Sequence, residues 1–123
     1  MRKRIRPLLR KLDALEARRG RILQLLTDDA PLLVGSVSLV KRTCGKPTCH
    51  CAERPAHAAW VLATTEGGRR RCQVVRQADV EDVCQRVAAY KDFRKALREF
   101  DATHREEIAL LRGLQGNRDV RYE

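Results

Sequence analysis

The sequence predicts an α+β protein: two long helices form an antiparallel coiled-coil hairpin around a small three-stranded antiparallel β head stabilised by zinc. Three observations lead to this prediction. Apolar residues recur at helical spacing in both terminal segments, β-branched runs flank a Gly-Gly turn, and four potential metal ligands fall within fourteen central residues. A chain of 123 residues is expected to be a single domain, residues 1–123.

The N-terminal segment, residues 2–27, is predicted to be a helix. Pro7 removes one backbone donor, so we expect the regular helix to begin near it and residues 1–6 to form a basic arm. Arginines occupy the polar face. The apolar residues follow a three-four spacing that only Arg19 interrupts: Ile5, Leu8, Leu12, Leu15, Ile22 and Leu26.

Residues 32–76 are predicted to form the β head. Strands are expected at residues 37–42, 59–65 and 69–75, because these runs are rich in β-branched residues or alternate in polarity. Glu66-Gly67-Gly68 reads as a tight hairpin turn, since consecutive glycines tolerate the positive φ that such turns require. The Cys/His loop would then join the first two strands.

Residues 79–112 are predicted to form the C-terminal helix, with Asp79 as its N-cap and residues 113–123 as a frayed tail after Gly113. Arg19, Arg94 and Asp101 are expected to set the helix register. The two stripes could pair within one chain or between chains, giving a dimer. The predicted apolar stripe is Val83, Val87, Tyr90, Leu97, His104, Ile108 and Leu111, flanked by Val80, Phe93 and Phe100.

Net charge is +10, and its distribution is uneven. Residues 1–24 carry nine basic and two acidic residues, residues 41–76 carry eight and two, and residues 77–112 carry seven and eight. A positive field on the first helix and the head attracts polyanions: nucleic acid, an anionic membrane or an acidic protein. Arginine outnumbers lysine twenty to six, and guanidinium suits bidentate phosphate contact, so nucleic acid is the expected partner.

A cytoplasmic location is expected. The basic start is not followed by an apolar core of signal-peptide length, and no stretch approaches the roughly 20 apolar residues of a membrane span. In a reducing compartment, five cysteines favour metal binding over disulfides.

The preferred metal ligands are Cys44, Cys49, Cys51 and His57, because thiolate and imidazole are the ligand types that Zn²⁺ prefers. Cys72 and His50 remain alternatives for the fourth position. Unligated cysteines, or a redox switch with thiol pKa values lowered by neighbouring cations, are the competing interpretations.

Four protein ligands leave no open position for water, so the zinc is expected to be structural. Glu53, the only nearby carboxylate, is expected to be a solvated loop residue, and no enzymatic activity is expected. Trp60 is expected to be a core residue of the small sheet. The residues predicted to contact phosphates are Lys41, Arg42, Lys46, Arg69, Arg70 and Arg71 on the head, with Arg2, Lys3, Arg4, Arg6 and Arg10 on the N-terminal arm.

The run Cys44-Gly-Lys-Pro-Thr-Cys49-His-Cys51, followed by His57 before an aromatic strand, resembles a family of small uncharacterised prokaryotic proteins with a Cys-Gly-Lys-Pro-x-Cys-x-Cys motif and a later His. The resemblance covers roughly residues 31–95. It implies a shared ligand set of Cys44, Cys49, Cys51 and His57. Because members occur among mobile-element genes, it also implies a nucleic-acid context.

These observations favour a non-enzymatic, zinc-stabilised nucleic-acid-binding protein, an accessory factor of a mobile element. The alternative is a coiled-coil adaptor, a protein-interaction or dimerisation module with a structural zinc. A third interpretation places the basic first helix on an anionic membrane surface.

Overall fold

The structure is a computed structural model that describes residues 2–43, 45–53 and 57–122; of Arg2, Lys3, Arg4 and Cys51 it describes the backbone only. The predicted α+β class is confirmed. No helix in these ranges is long and apolar enough to cross a lipid bilayer. The elements are α1 (Arg2–Leu26), β1 (Ser36–Arg42), a 3-10 turn (His50–Ala52), β2 (His57–Glu66), β3 (Arg69–Val74), a second 3-10 turn (Gln77–Asp79) and α2 (Val80–Arg118).

The chain divides into two compact units. The helical unit comprises Met1–Asp29 and Asp92–Glu123, and the sheet unit comprises Ala30–Lys91. In the helical unit α1 and α2 pack antiparallel, as predicted: Leu8 lies against Gly113, whereas Arg19, farther along α1, reaches back to Glu107. The predicted stripe of α1 supplies the buried side chains Leu15 and Ile22.

The expectation that the regular helix begins near Pro7 is wrong, since α1 starts at Arg2 and includes this proline. Pro7 is the sixth residue of α1, and it removes the one hydrogen bond that an N–H at this position would donate to the Lys3 carbonyl. Ile5 and Leu8, both half-buried, flank Pro7 on the packed face and help hold the turn in helical geometry.

The packed face of α2 agrees with the predicted stripe in part, since Val83, Val87, Tyr90 and Ile108 are buried or half-buried. Leu97, His104 and Leu111 are exposed, the two leucines by 51% and 49%. The prediction placed these large leucines in the seam because of their hydrophobicity. In the structure the seam instead has small or polar residues at alternate turns, which let the two helices approach closely. The buried or half-buried positions follow a three-four pattern: Phe93, Ala96, Phe100, Thr103, Glu107, Leu110 and Leu114.

Helix α2 continues past Gly113 and Gly116 to Arg118, beyond the end predicted at residue 112. The half-buried Leu114 keeps this last part on the seam and offsets the glycine cost of roughly 1 kcal/mol each. Asn117 Nδ2 donates to the Gly113 carbonyl at 3.0 Å, and the Asp119 N–H donates to the Gln115 carbonyl at 2.9 Å, which satisfies an acceptor of the last turn.

The sheet unit contains a three-stranded antiparallel sheet in the order β1-β2-β3. Val61 and Leu62 on the central strand are 5% and 9% exposed, and neighbouring strand residues point to opposite faces, so the centre of the sheet is covered on both faces. Gly67 and Gly68 have φ of 57° and 80°, the left-handed values of the predicted hairpin turn.

Gly35 leads into β1 with φ of 137°. A Cβ at this position would lie 2.8 Å from the Ala63 carbonyl oxygen and 2.9 Å from Thr64 Cγ2. No side chain fits there without moving the backbone, so β1 joins β2 at a position that requires glycine.

Candidate metal and nucleic-acid site

The loop between β1 and β2 folds back on itself at a turn. Gly45 has φ of 80°, and the Cys49 N–H donates to the Lys46 carbonyl at 3.1 Å. Pro47 occupies the second position of this turn, where its fixed φ is favourable. The Ala52 N–H then donates to the Cys49 carbonyl at 3.0 Å, which begins the short 3-10 turn.

This path brings Cys49 and His57 together. Cys49 Sγ lies 3.4 Å from His57 Nε2, and His57 is the first residue of β2, paired with Arg42. Two ligands of one tetrahedral Zn²⁺, with Zn–S about 2.3 Å and Zn–N about 2.0–2.1 Å, lie about 3.5 Å apart. The observed separation therefore fits a thiolate and an imidazole that share one ion.

Cys44 and the Cys51 side chain, the other two members of the predicted set, lie outside the described residues. Among the described side chains, no group of three His, Cys, Asp or Glu residues is arranged to hold a metal ion. The part of the predicted set that the structure brings together is the pair Cys49 and His57.

The alternative fourth ligands are less well placed. His50 Nδ1 lies 4.0 Å from Cys49 Sγ, longer than the separation expected within a zinc site. Cys72 pairs with Ala63, six residues along β2 from His57. At about 3.3 Å per residue, this places Cys72 about 20 Å from His57 along the strand, too far for one ion to bridge.

The predicted phosphate contacts of the head are exposed on β1, on the loop that follows it and on β3. Directly paired residues of antiparallel strands share a face, and the side chains alternate along each strand. By this register Lys41, Arg69 and Arg71 project from one face, and Arg42 and Arg70 from the other.

Arg71 has a neighbour that fixes its orientation. With the Gln73 amide turned so that its oxygen faces the guanidinium, Arg71 Nη2 and Nε donate to it at 2.8 Å and 3.3 Å. Both residues project from the same face, two positions apart on β3. The contact leaves other guanidinium N–H groups available to an anion.

Trp60, expected to be a core residue, is half-buried and pairs with Leu39, which is 49% exposed. Val75, just after β3, donates its N–H to the Trp60 carbonyl at 2.8 Å. The backbone of Trp60 is therefore fixed by both neighbouring strands, three residues along β2 from His57.

On the N-terminal arm Arg6 and Arg10 are exposed, whereas the Arg2, Lys3 and Arg4 side chains lie outside the described part of the chain. The structure adds three cations that sequence reasoning did not select. Lys11, Arg18 and Arg21 border a groove of about 590 Å³ between the helices, whose floor includes Ala14, Leu15, Ala109 and Leu110 and whose other rim carries Glu106. The sequence signal for this groove is that Lys11, Arg18 and Arg21 directly precede three positions of the α1 repeat, Leu12, Arg19 and Ile22.

Comparison with known proteins identifies one family. Residues 1–85 match a family model described as "Domain of unknown function (DUF6788)". The matched residues include α1, the Cys/His loop and the whole sheet. No curated protein and no solved structure matches the chain significantly.

Proposed function

The chain belongs to the DUF6788 family, and we propose that it is a non-enzymatic, zinc-stabilised, cytoplasmic protein that binds nucleic acid through phosphate contacts. The resemblance in the cysteine run, with its mobile-element context, supports an accessory role in such an element.

The observation that carries the proposal is the uncompensated charge of the β2–β3 hairpin and β1. Lys41, Arg42, Arg69 and Arg70 are exposed, and no carboxylate of the described residues lies within ion-pairing distance of them. By strand register, Lys41 and Arg42 lie at the end of the sheet next to the Cys/His loop, and Arg69 and Arg70 lie about 25 Å away at the tip of the hairpin. Unpaired cations at each place attract the phosphate backbone, and binding gains free energy by releasing condensed counterions.

The basic residues of α2 behave differently. Arg86 Nη2 lies 3.1 Å from Asp82 Oδ2, and Arg105 Nη2 lies 3.0 Å from Asp101 Oδ2, each one helical turn away. These pairs lower the local field, so the structure supports binding through the hairpin in preference to this part of α2.

The shape of the hairpin supports a duplex as the partner. A two-stranded β-ribbon is one of the elements that the major groove of DNA admits. Beyond Ala63, the last β2 residue paired with β1, the hairpin is a two-stranded ribbon that ends in the narrow Gly67-Gly68 turn, directly before the three arginines. Because Arg69 and Arg70 project from opposite faces, a ribbon in the groove would present cations to both phosphate walls.

Zinc has a structural role in this proposal. Cys44, Cys49, Cys51 and His57 would hold it, and the 3.4 Å separation of Cys49 Sγ and His57 Nε2 supports the inclusion of this pair. A bound zinc would supply a crosslink between the loop and the first residue of β2, and so hold Lys46 near the base of the hairpin. With all four positions taken by protein, no catalytic role is proposed.

Binding to a fluorescent DNA duplex, measured over a range of salt concentrations, tests the proposal. We expect affinity to fall steeply with salt, and alanine substitution of Arg69, Arg70 and Arg71 to reduce the salt slope by about 3 and weaken binding across unrelated sequences. The matched control replaces three exposed cations of α2, Lys95, Arg98 and Arg112, by alanine and removes the same net charge.

The control variant should retain the native slope. Affinity that is independent of salt, or an equal loss in both triple variants, would refute a hairpin-centred phosphate interface. Parallel titrations with single-stranded DNA and with duplex RNA would show which nucleic acid is preferred.

The groove beside α1 favours a second candidate, the adaptor. Its apolar floor and the cations Lys11, Arg18 and Arg21 suit an acidic amphipathic helix of a partner protein. Under this proposal, an acidic protein that co-purifies in low salt would protect these cations from lysine- and arginine-specific reagents, whereas the hairpin arginines would remain reactive.

A further inference from the structure

One long side of the packed helices carries exposed leucines that the fold does not use. We call it the leucine flank and define it by Leu9, Glu16 and Leu23 of α1 with Leu97, His104 and Leu111 of α2. Leu9 and Leu23 are each 47% exposed, and Leu97 and Leu111 are 51% and 49% exposed.

The six residues share a side because of their position in the helical repeat. Each directly follows a seam residue, namely Leu8, Leu15, Ile22, Ala96, Thr103 or Leu110. In an antiparallel pair of helices, the residues that directly follow seam residues project to the same side of the pair from both helices. The residues one step before the seam confirm this rule, since Lys11, Arg18, Glu106 and Ala109 together line the groove on the other side.

The leucine flank is symmetric about its centre. Leu8 lies against Gly113, which places Leu9 near the level of Leu111. Steps of seven residues in each helix then place Glu16 level with His104, and Leu23 level with Leu97. Two leucine pairs therefore lie about 21 Å apart, at equal distances from a polar centre.

We propose that the leucine flank binds a second copy of this chain, forming a four-helix bundle about a twofold axis. An isologous interface requires a surface complementary to itself, and a flank symmetric about its Glu16–His104 centre meets this requirement. The twofold axis can lie along or across the helices, and in both arrangements leucine pairs pack on leucine pairs.

Charge favours a second copy on this side of the helices. Although the chain carries a net charge of +10, the cations Lys11, Arg18 and Arg21 line the opposite flank. The charged residues that directly follow seam residues, and so lie on the leucine side, are nearly balanced: Asp13, Glu16 and Asp101 against Arg6 and Arg94. Two packed helices offer a surface about 30 Å long and about 20 Å wide, roughly 600 Å² per copy, which approaches the roughly 800 Å² of a standard interface. The inference goes beyond the proposed function, because it requires neither nucleic acid nor zinc.

Sedimentation equilibrium of the full chain, treated with nuclease and held in high salt, tests the inference. High salt suppresses bridging by residual polyanions but not apolar association. We expect twice the chain mass of 14.1 kDa at micromolar concentration, and the chain mass alone across the whole range would overturn the proposal.

Two leucines of α1 provide a matched pair of variants. Leu23 is on the leucine flank, and Leu25, 67% exposed, is two residues away on the other side of the seam. Leu23→Glu should raise the dimer dissociation constant at least about 100-fold, roughly tenfold for each of the two buried charges per interface, while Leu25→Glu should leave it unchanged. Equal effects of the two substitutions would overturn the assignment of the interface.

Loss of helical circular dichroism in Leu23→Glu would signal misfolding instead of dissociation. Leu97→Gln, on the other helix of the same flank, then provides the second test. It should yield a helical monomer, and a helical dimer of native affinity would refute the proposal.

Discussion

Arg19 Nη1 on α1 lies 3.7 Å from Glu107 Oε2 on α2, across a seam built mainly from apolar and small side chains. The Glu107 side chain is only 15% exposed, and its second oxygen, Oε1, is buried without a hydrogen-bond partner among the described residues. Arg19, 44% exposed, is thus the cation that compensates a largely desolvated carboxylate. This pair links the two helices across the seam.

Removing the cation from this pair should destabilise the helical unit. We expect Arg19→Leu to lower the free energy of unfolding by about 1–3 kcal/mol, because the Glu107 carboxylate remains in the seam without its partner. Adding Glu107→Leu should restore stability to the native level or above, since apolar pairs often replace buried ion pairs without loss. Urea titrations followed by helical circular dichroism would measure both effects. A double variant no more stable than the single one would show that the pair does not act in this way.

Thr103, 1% exposed, is the most buried polar residue of the described chain, and its hydroxyl donates to the Glu99 carbonyl at 2.8 Å. Thr103→Val keeps the shape and removes only a bond to a carbonyl already used by the helix, so stability should change by less than about 1 kcal/mol. Thr103→Leu should cost about 1–3 kcal/mol, because the seam is close-packed at this position. Thermal unfolding of the two variants would rank them, and a stabilising leucine would mean that the seam contains a cavity.

Gly35 and Gly67 both adopt positive φ, but only Gly35 is crowded. Gly35→Ala should lower the stability of the sheet unit by about 2 kcal/mol or more, since the new Cβ would meet the Ala63 carbonyl oxygen at 2.8 Å. Gly67→Asn faces open space at a turn position that accepts asparagine, so its effect should stay within about 0.5 kcal/mol. Amide hydrogen exchange in β1 and β2 would report the difference, and equal protection in the two variants would contradict the steric account.

Zinc content provides a fourth prediction. Protein purified without chelators should contain one zinc per chain, and Cys49→Ser or His57→Ala should abolish it, because a structural site needs all four of its ligands. His50→Ala and Cys72→Ser are the matched controls and should retain zinc, given the 4.0 Å separation of His50 from Cys49 and the strand register of Cys72. Elemental analysis measures all four variants. Loss of zinc in Cys72→Ser would require a different ligand set.

The sequence predicted some elements well for identifiable reasons. The α1 stripe consists of large aliphatic residues interrupted only by Arg19, so its buried face could be identified, and Gly67-Gly68 allowed few alternatives to a tight turn. The α2 seam could not be read in the same way. Ala96, Thr103 and Glu107 carry little hydrophobic signal, while Leu97 and Leu111 carry much and lie outside the seam.

For the candidate site, the spacing of the cysteines predicted that the loop folds back on itself. It did not show which of His57, His50 and Cys72 would be the fourth metal ligand. The decision against Cys72 depends on strand register, which pairs it with Ala63 instead of placing it near His57. Register results from the turn and from cross-strand packing together, so it was not available from the positions of the cysteines alone. The division of the hairpin cations between two faces follows from the same register.

The groove lined by Lys11, Arg18 and Arg21 and the flank bearing Leu23 and Leu97 lie back to back on one pair of helices. A dimer formed through the flank would turn both grooves outward, with the cations Lys11, Arg18 and Arg21 of each copy in symmetric positions. Both copies of the dimer could then bind the same polyanion. The avidity of the dimer would exceed the affinity of either copy without any additional protein–phosphate contact.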